Sequence, residues 1–123
     1  MPEKKILIVD DNLNMASLLS DILEVFQCQS SQASNGEEAL RLLNEDKFDL
    51  VITDLRMPKM NGIDLLRVVK ETFPSLPVVV ITGFKLEAHQ NAIVNQTADG
   101  FLNKPFKVQD IEQLLKKLLN FSS

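Results

Sequence analysis

The residues best able to do chemistry in this chain are polar ones that close apolar runs. Val9 is followed by Asp10 and Asp11, Thr53 by Asp54, Ile81 by Thr82, and Phe101-Leu102-Asn103 by Lys104 and Pro105. Brought together, they amount to three carboxylates, a hydroxyl and an ammonium. Carboxylates in one crevice repel: two unit charges about 5 Å apart, at an effective dielectric of about 20, cost roughly 3 kcal/mol. A hard divalent cation removes the conflict, and magnesium favours one or two protein carboxylates, several waters and phosphate oxygens. One carboxylate then remains to attack phosphorus. Phosphoryl transfer asks mainly for positioning and charge stabilisation. The Lys104 ammonium and a hydrogen bond from Thr82 are suited to the phosphoryl oxygens.

These residues act together only if the chain folds their positions to one edge. Ile6-Leu7-Ile8-Val9, Leu50-Val51-Ile52 and Val78-Val79-Val80-Ile81 are continuous branched apolar runs, the pattern of parallel strands buried on both faces. Phe101-Leu102 is a shorter run of that kind, and the polar stretch 29–33 predicts an edge strand at best. Helical spacing of apolar residues runs from Met15 to Phe26 and again from Val108 to Leu118. Ser34 and Glu37 suggest a capping box ahead of Ala39, Leu40, Leu42 and Leu43. A third helix is expected from about Asn61-Gly62, ending before Pro74. A weaker helix is expected over 86–95. Strand and helix alternate five times, which predicts one α/β domain with helices on both faces of a parallel sheet. Ligands of such sheets bind beyond the C-terminal strand ends, where Asp10, Asp11, Asp54, Thr82 and Lys104 fall.

Composition narrows the partners. The 123 residues carry a net charge of −4, which argues against a nucleic-acid-binding surface. No apolar run reaches the roughly 18 residues of a membrane span, and no secretory leader is evident. A cytoplasmic location is therefore expected. Cys28 is the single cysteine, which excludes an internal disulfide and any multi-cysteine metal site.

Taken singly, each piece has a plainer explanation. Asp10-Asp11 suits a helix N-cap, Thr82 a strand end, Lys104 a solvated side chain and Met57-Pro58 an ordinary turn. His89 suits a solvated position, and Cys28 a structural or incidental one. Their combination is specific. Ile-Leu-Ile-Val-Asp-Asp at 6–11, Asp54-Leu55-Arg56-Met57-Pro58 with Asn61-Gly62, Ile81-Thr82-Gly83 and Lys104-Pro105-Phe106 occur in that order. On these motifs the whole chain resembles a response-regulator receiver domain of two-component signalling.

The resemblance implies a flavodoxin-like (βα)5 fold of strand order 2-1-3-4-5, as one domain over 1–123 with its core at about 4–120. It implies that Asp54 is the phosphoacceptor. Asp11, Asp54 and the backbone carbonyl of Arg56 would bind Mg2+ (or Mn2+), with Asp10 acting chiefly through water. Lys104 would contact the phosphoryl group, Thr82 and Phe101 would be the switch residues, and Lys104-Pro105 would be a cis peptide. The expected partners are a sensor histidine kinase or histidine phosphotransfer protein, and a downstream target or output domain on the 85–120 face. The expected state is a monomer or a phosphorylation-dependent dimer, a signalling switch rather than a turnover enzyme. Two departures stand out: Thr97-Ala98 where the family often has Gly-Ala, and Phe101 where it often has tyrosine. A haloacid-dehalogenase-like phosphatase is a poorer match, because its Asp-x-Asp is Asp10-Asp11-Asn12 here. A binding module that has lost phosphorylation fits less well, since acidic pair, acceptor and lysine are all present.

Overall fold

The branched apolar runs are the strands of one parallel sheet in a computed structural model that describes residues 4–55, 62–82, 97–103 and 106–119. In chain order the elements are β1 (Lys5–Val9), α1 (Leu13–Val25), β2 (Gln29–Ala33), α2 (Gly36–Glu45), β3 (Leu50–Asp54), α3 (Gly62–Thr72), β4 (Val78–Thr82), β5 (Gly100–Asn103) and α4 (Val108–Leu119). The strand order is β2-β1-β3-β4-β5, as expected. The polar β2 lies at an edge, and α3 stops at Thr72, short of Pro74. The helix expected over 86–95 lies outside the described residues.

Strand residues alternate between two cores, as the two-residue period requires. Ile6, Ile8, Leu50, Ile52, Val79, Ile81 and Leu102 pack with Ala16, Leu19, Ile22 and Leu23 of α1 and Ile111 and Leu115 of α4. Leu7, Val9, Val51, Val78 and Val80 pack with Ala39 and Leu43 of α2 and Leu65, Leu66 and Val69 of α3. Among the described residues helices pack on both faces, which explains why the central strands read as unbroken apolar runs. At β5, a Cβ on Gly100 would stand 2.7 Å from Leu114 Cδ2, so this glycine lets α4 approach closely.

The N-cap lies one residue beyond the expected capping box. Asn35, not Ser34, is the N-cap of α2, and its side chain accepts the Glu38 N–H at 2.9 Å. Ser34 Oγ instead donates to Glu38 Oε2 at 3.3 Å. Both Ser and Asn are good caps. The extended backbone of Asn35 puts its own carbonyl and side chain over the first turn.

Polar ties close the other end of the sheet. Lys70 Nζ donates to Asp99 Oδ2 at 2.8 Å and to the Leu76 carbonyl at 3.1 Å. Asp99 Oδ2 also accepts the Val78 N–H at 2.8 Å, while Asp99 N–H donates to the Val78 carbonyl at 2.8 Å. Lys5 pairs with Asp46 and sits over the Phe48 ring, 5.1 Å from its centroid. The Lys5 hydrogen bond, helped by the Lys47 N–H, holds the Asp46 carboxyl below its ordinary value of 3.8.

Helix α1 ends in a Schellman turn, with Gln27 N–H donating to Glu24 O at 2.9 Å and Cys28 N–H to Leu23 O at 3.0 Å. Gln27 carries the positive φ of 62° that this turn needs. Replacing it with glycine removes a Cβ penalty larger than the added unfolded-state entropy, so Gln27→Gly should stabilise by about 0.5–1 kcal/mol. A thermal melt should show a rise of a few degrees. The Lys5–Asp46 pair has its own signature. A carboxyl depressed in the folded state stabilises above its unfolded value, and that contribution fades as pH falls through the folded one. In an NMR titration Asp46 should have its midpoint below 3.8, and in Lys5→Met the midpoint should rise.

Candidate functional site

Strand register builds the site. Val9 pairs with Thr53, so Asp10 and Asp54 are each one step beyond a matched pair. They also continue the face of Ile8 and Ile52, two residues earlier, which points both toward the α1 and α4 side. Neighbouring strands are about 4.8 Å apart, so matched acids on one face must meet. Oxygens of Asp10, Asp11 and Asp54 lie within 4.8 Å of one another. Asp54 ends β3, the central strand.

The surroundings set the electrostatics. Asp10 is 1% exposed and Asp54 7%, while Asp11 is exposed to solvent. Among the described residues the buried polar or charged side chains are Asp10, Thr53 and Asp54. All three lie at this end of adjacent strands. Burying one carboxylate is costly and burying two side by side more so, unless hydrogen bonds or a cation compensate. Asp10 Oδ1 accepts the Asn12 N–H at 2.9 Å. Thr53 Oγ1 donates to the Asp54 carbonyl at 3.0 Å. The donor set is entirely oxygen and carboxylate-rich, which fits a hard divalent cation such as magnesium and not a thiolate-seeking metal.

The acid pair does not cap α1. Asn12 does: its side chain accepts from Asn14 N–H at 3.0 Å and Met15 N–H at 3.2 Å. In the sequence Asn12 stands out only as the third residue of Asp10-Asp11-Asn12, and not as a cap. Its signal was its place immediately before the first helical residue, where asparagine is favoured. Of the other candidates, Thr82 ends β4, where its backbone pairs with Asn103. The Thr82 side chain, Arg56, Lys104 and Pro105 lie outside the described residues. Phe101 pairs with Val80, is 40% exposed, and lines a cavity of about 300 Å³ with Asn103, Asp110 and Leu114.

Comparison with known proteins agrees with this architecture. Residues 6–116 match the family described as response regulator receiver domain. The chain is 36% identical to the two-component response regulator ARR17 of Arabidopsis thaliana, over 98% of this chain and 88% of that protein. It is 36% identical to the transcriptional regulatory protein CpxR of Escherichia coli, covering 96% of this chain but only 50% of CpxR. Among solved structures, a CheY-like receiver domain protein from Methanospirillum hungatei superposes with a TM-score of 0.90 at 27% identity, covering 97% of this chain and 95% of that one. The receiver domain of a Syntrophus aciditrophicus signal transduction histidine kinase gives 0.87 at 33% identity, covering 95% and 90%. Among the described residues no helix is long and apolar enough to cross a membrane. The parallel sheet, the acids at its C-terminal edge and these matches agree: the chain belongs to the response regulator receiver domain family.

Proposed function

We propose that the chain is a magnesium-dependent phosphoaspartate switch whose acceptor is Asp54. The observation that carries this reading is the Asp54 carboxylate at the end of the central strand, within 4.8 Å of the Asp10 and Asp11 oxygens. A sensor histidine kinase or a histidine phosphotransfer protein is the proposed donor. An Asp54 oxygen attacks the phosphorus of phosphohistidine; the P–O bond forms, the P–N bond breaks, and the imidazole leaves with the electron pair. Asp11, Asp54 and the Arg56 carbonyl are the proposed holders of Mg2+ or Mn2+, with Asp10 acting chiefly through water. The bound cation supplies positive charge against the carboxylates and the phosphoryl oxygens. Lys104 is proposed to pair with a phosphoryl oxygen through its ammonium group, and its peptide bond to Pro105 is proposed to be cis.

Output follows from the new group. An aspartyl phosphate adds charge and acceptor oxygens. Thr82 is proposed to hydrogen-bond one of them, and Phe101 to change its packing in response. The surface over 85–120 would then present a different face to a target or output domain, as a monomer or in a phosphorylation-dependent dimer. The family consists of signalling switches, and the proposed chemistry is one transfer onto Asp54 followed by hydrolysis, in which water takes the phosphoryl group as inorganic phosphate and the Asp54 carboxylate is restored.

Incubation with a small phosphodonor and magnesium, followed by intact mass measurement, tests the acceptor. Wild type should gain one phosphoryl group and Asp54→Asn none. An equal gain in the variant removes Asp54 from the role. In metal-free buffer Asp54→Asn should also melt at a higher temperature, because one charge leaves the cluster. The cation is tested by titration. Magnesium should bind Asp11→Ala at least about tenfold more weakly than wild type, as loss of a ligand demands at minimum. Equal affinities by calorimetry would exclude this cation site.

A further inference from the structure

We infer that Asn12 is a positioning residue for the acidic site, coupling cation binding to the N-terminus of α1. The inference rests on the proposed cation site and adds to it a residue whose side chain is not a ligand. Asn12 makes two kinds of contact. Its backbone N–H donates to Asp10 Oδ1 at 2.9 Å, which fixes one buried carboxylate across the turn. Its side-chain oxygen accepts from Asn14 N–H at 3.0 Å and Met15 N–H at 3.2 Å. The short turn that carries Asp10 and Asp11 is thereby tied to the first turn of a helix whose Ala16 and Leu19 are buried in the core.

The turn faces a conflict that the cap resolves. Asp11 is exposed, yet its carboxylate oxygen lies within 4.8 Å of those of Asp10 and Asp54. Like charges at that distance push the turn outward. Without the cap, the first turn of α1 frays, and Asp11 moves away from its neighbours at little cost. A cation must then restore the turn as it binds, which weakens its apparent affinity. Asparagine also caps without charge. Aspartate caps equally well but would add a fourth carboxylate beside the three.

Coupling is reciprocal: if the cap favours the cation, the cation must steady the cap. Magnesium should therefore slow amide exchange at Asn14 and Met15. The free energy of a typical N-cap corresponds to a change of about fivefold in affinity, and that of the strongest caps to about thirtyfold.

The test titrates magnesium into wild type, Asn12→Ala, Asn12→Ser and Asn35→Ala, each well below its melting temperature. Asn35→Ala removes the corresponding cap from α2 and serves as the control for lost stability alone. We expect Asn12→Ala to bind about two- to fivefold more weakly. Asn12→Ser should restore wild-type affinity, since serine caps as well as asparagine. Asn35→Ala should lose stability but keep its affinity. Hydrogen exchange should show magnesium protection of Asn14 and Met15 in wild type, diminished in Asn12→Ala. Unchanged affinity in Asn12→Ala, or an equal loss in Asn35→Ala, overturns the positioning role while leaving the cation site in place. Failure of wild type to bind magnesium overturns both.

Discussion

Parallel register between β1 and β3 is the constraint on which the acidic site depends. Because Val9 stands opposite Thr53, the next residue of each strand is an aspartate on the same face. The sheet therefore imposes a like-charge contact that neither acid would adopt alone. What enforces it is apolar burial: Ile6, Ile8, Leu50 and Ile52 on one face, Leu7, Val9 and Val51 on the other. A shift of one residue in β3 would expose both sets of side chains to the wrong core and turn Asp54 to the side of α2 and α3. Stability of the fold and placement of Asp54 are thus one requirement. The repulsion among the acids is small beside the loss of two cores.

The ends of the elements complete that arrangement. Asn12 caps α1 while its backbone engages Asp10, so the first helix and the first buried acid share a residue. At β5, the bare Gly100 admits Leu114 and draws α4 onto the face that also carries Asp10 and Asp54. The half-exposed Phe101 sits on the opposite side of its strand from the buried Leu102, on the surface that the proposed switch would alter.

Much of this was legible before any coordinates. β1, β3 and β4 are unbroken branched apolar runs, and burial on both faces is what such runs encode. Asp10, Asp11 and Asp54 were legible because each directly follows or ends such a run. The residues that escaped notice depend on geometry with weak local signals. Ser34 and Asn35 are both good caps, and the choice turned on backbone conformation. Gln27 occupies a left-handed position where glycine or asparagine would have announced it. Lys70 and Asp99 are 29 residues apart and meet only after β4 and β5 have paired.

That last contact has a consequence for the chain's connectivity. Val78 and Asp99 bond to each other through backbone and side chain, and Lys70 secures Asp99 from α3. The two ends of the stretch between them are therefore joined without help from the peptide links inside it. If the backbone were cut between 83 and 96, the piece carrying β5 and α4 would still have its docking points: the β4 ladder, the packing of Leu102, Ile111 and Leu115 in the core shared with β1 and β3, and the Asp99 clamp. At this place the described contacts, and not chain continuity alone, hold β5 and α4 to the rest of the sheet.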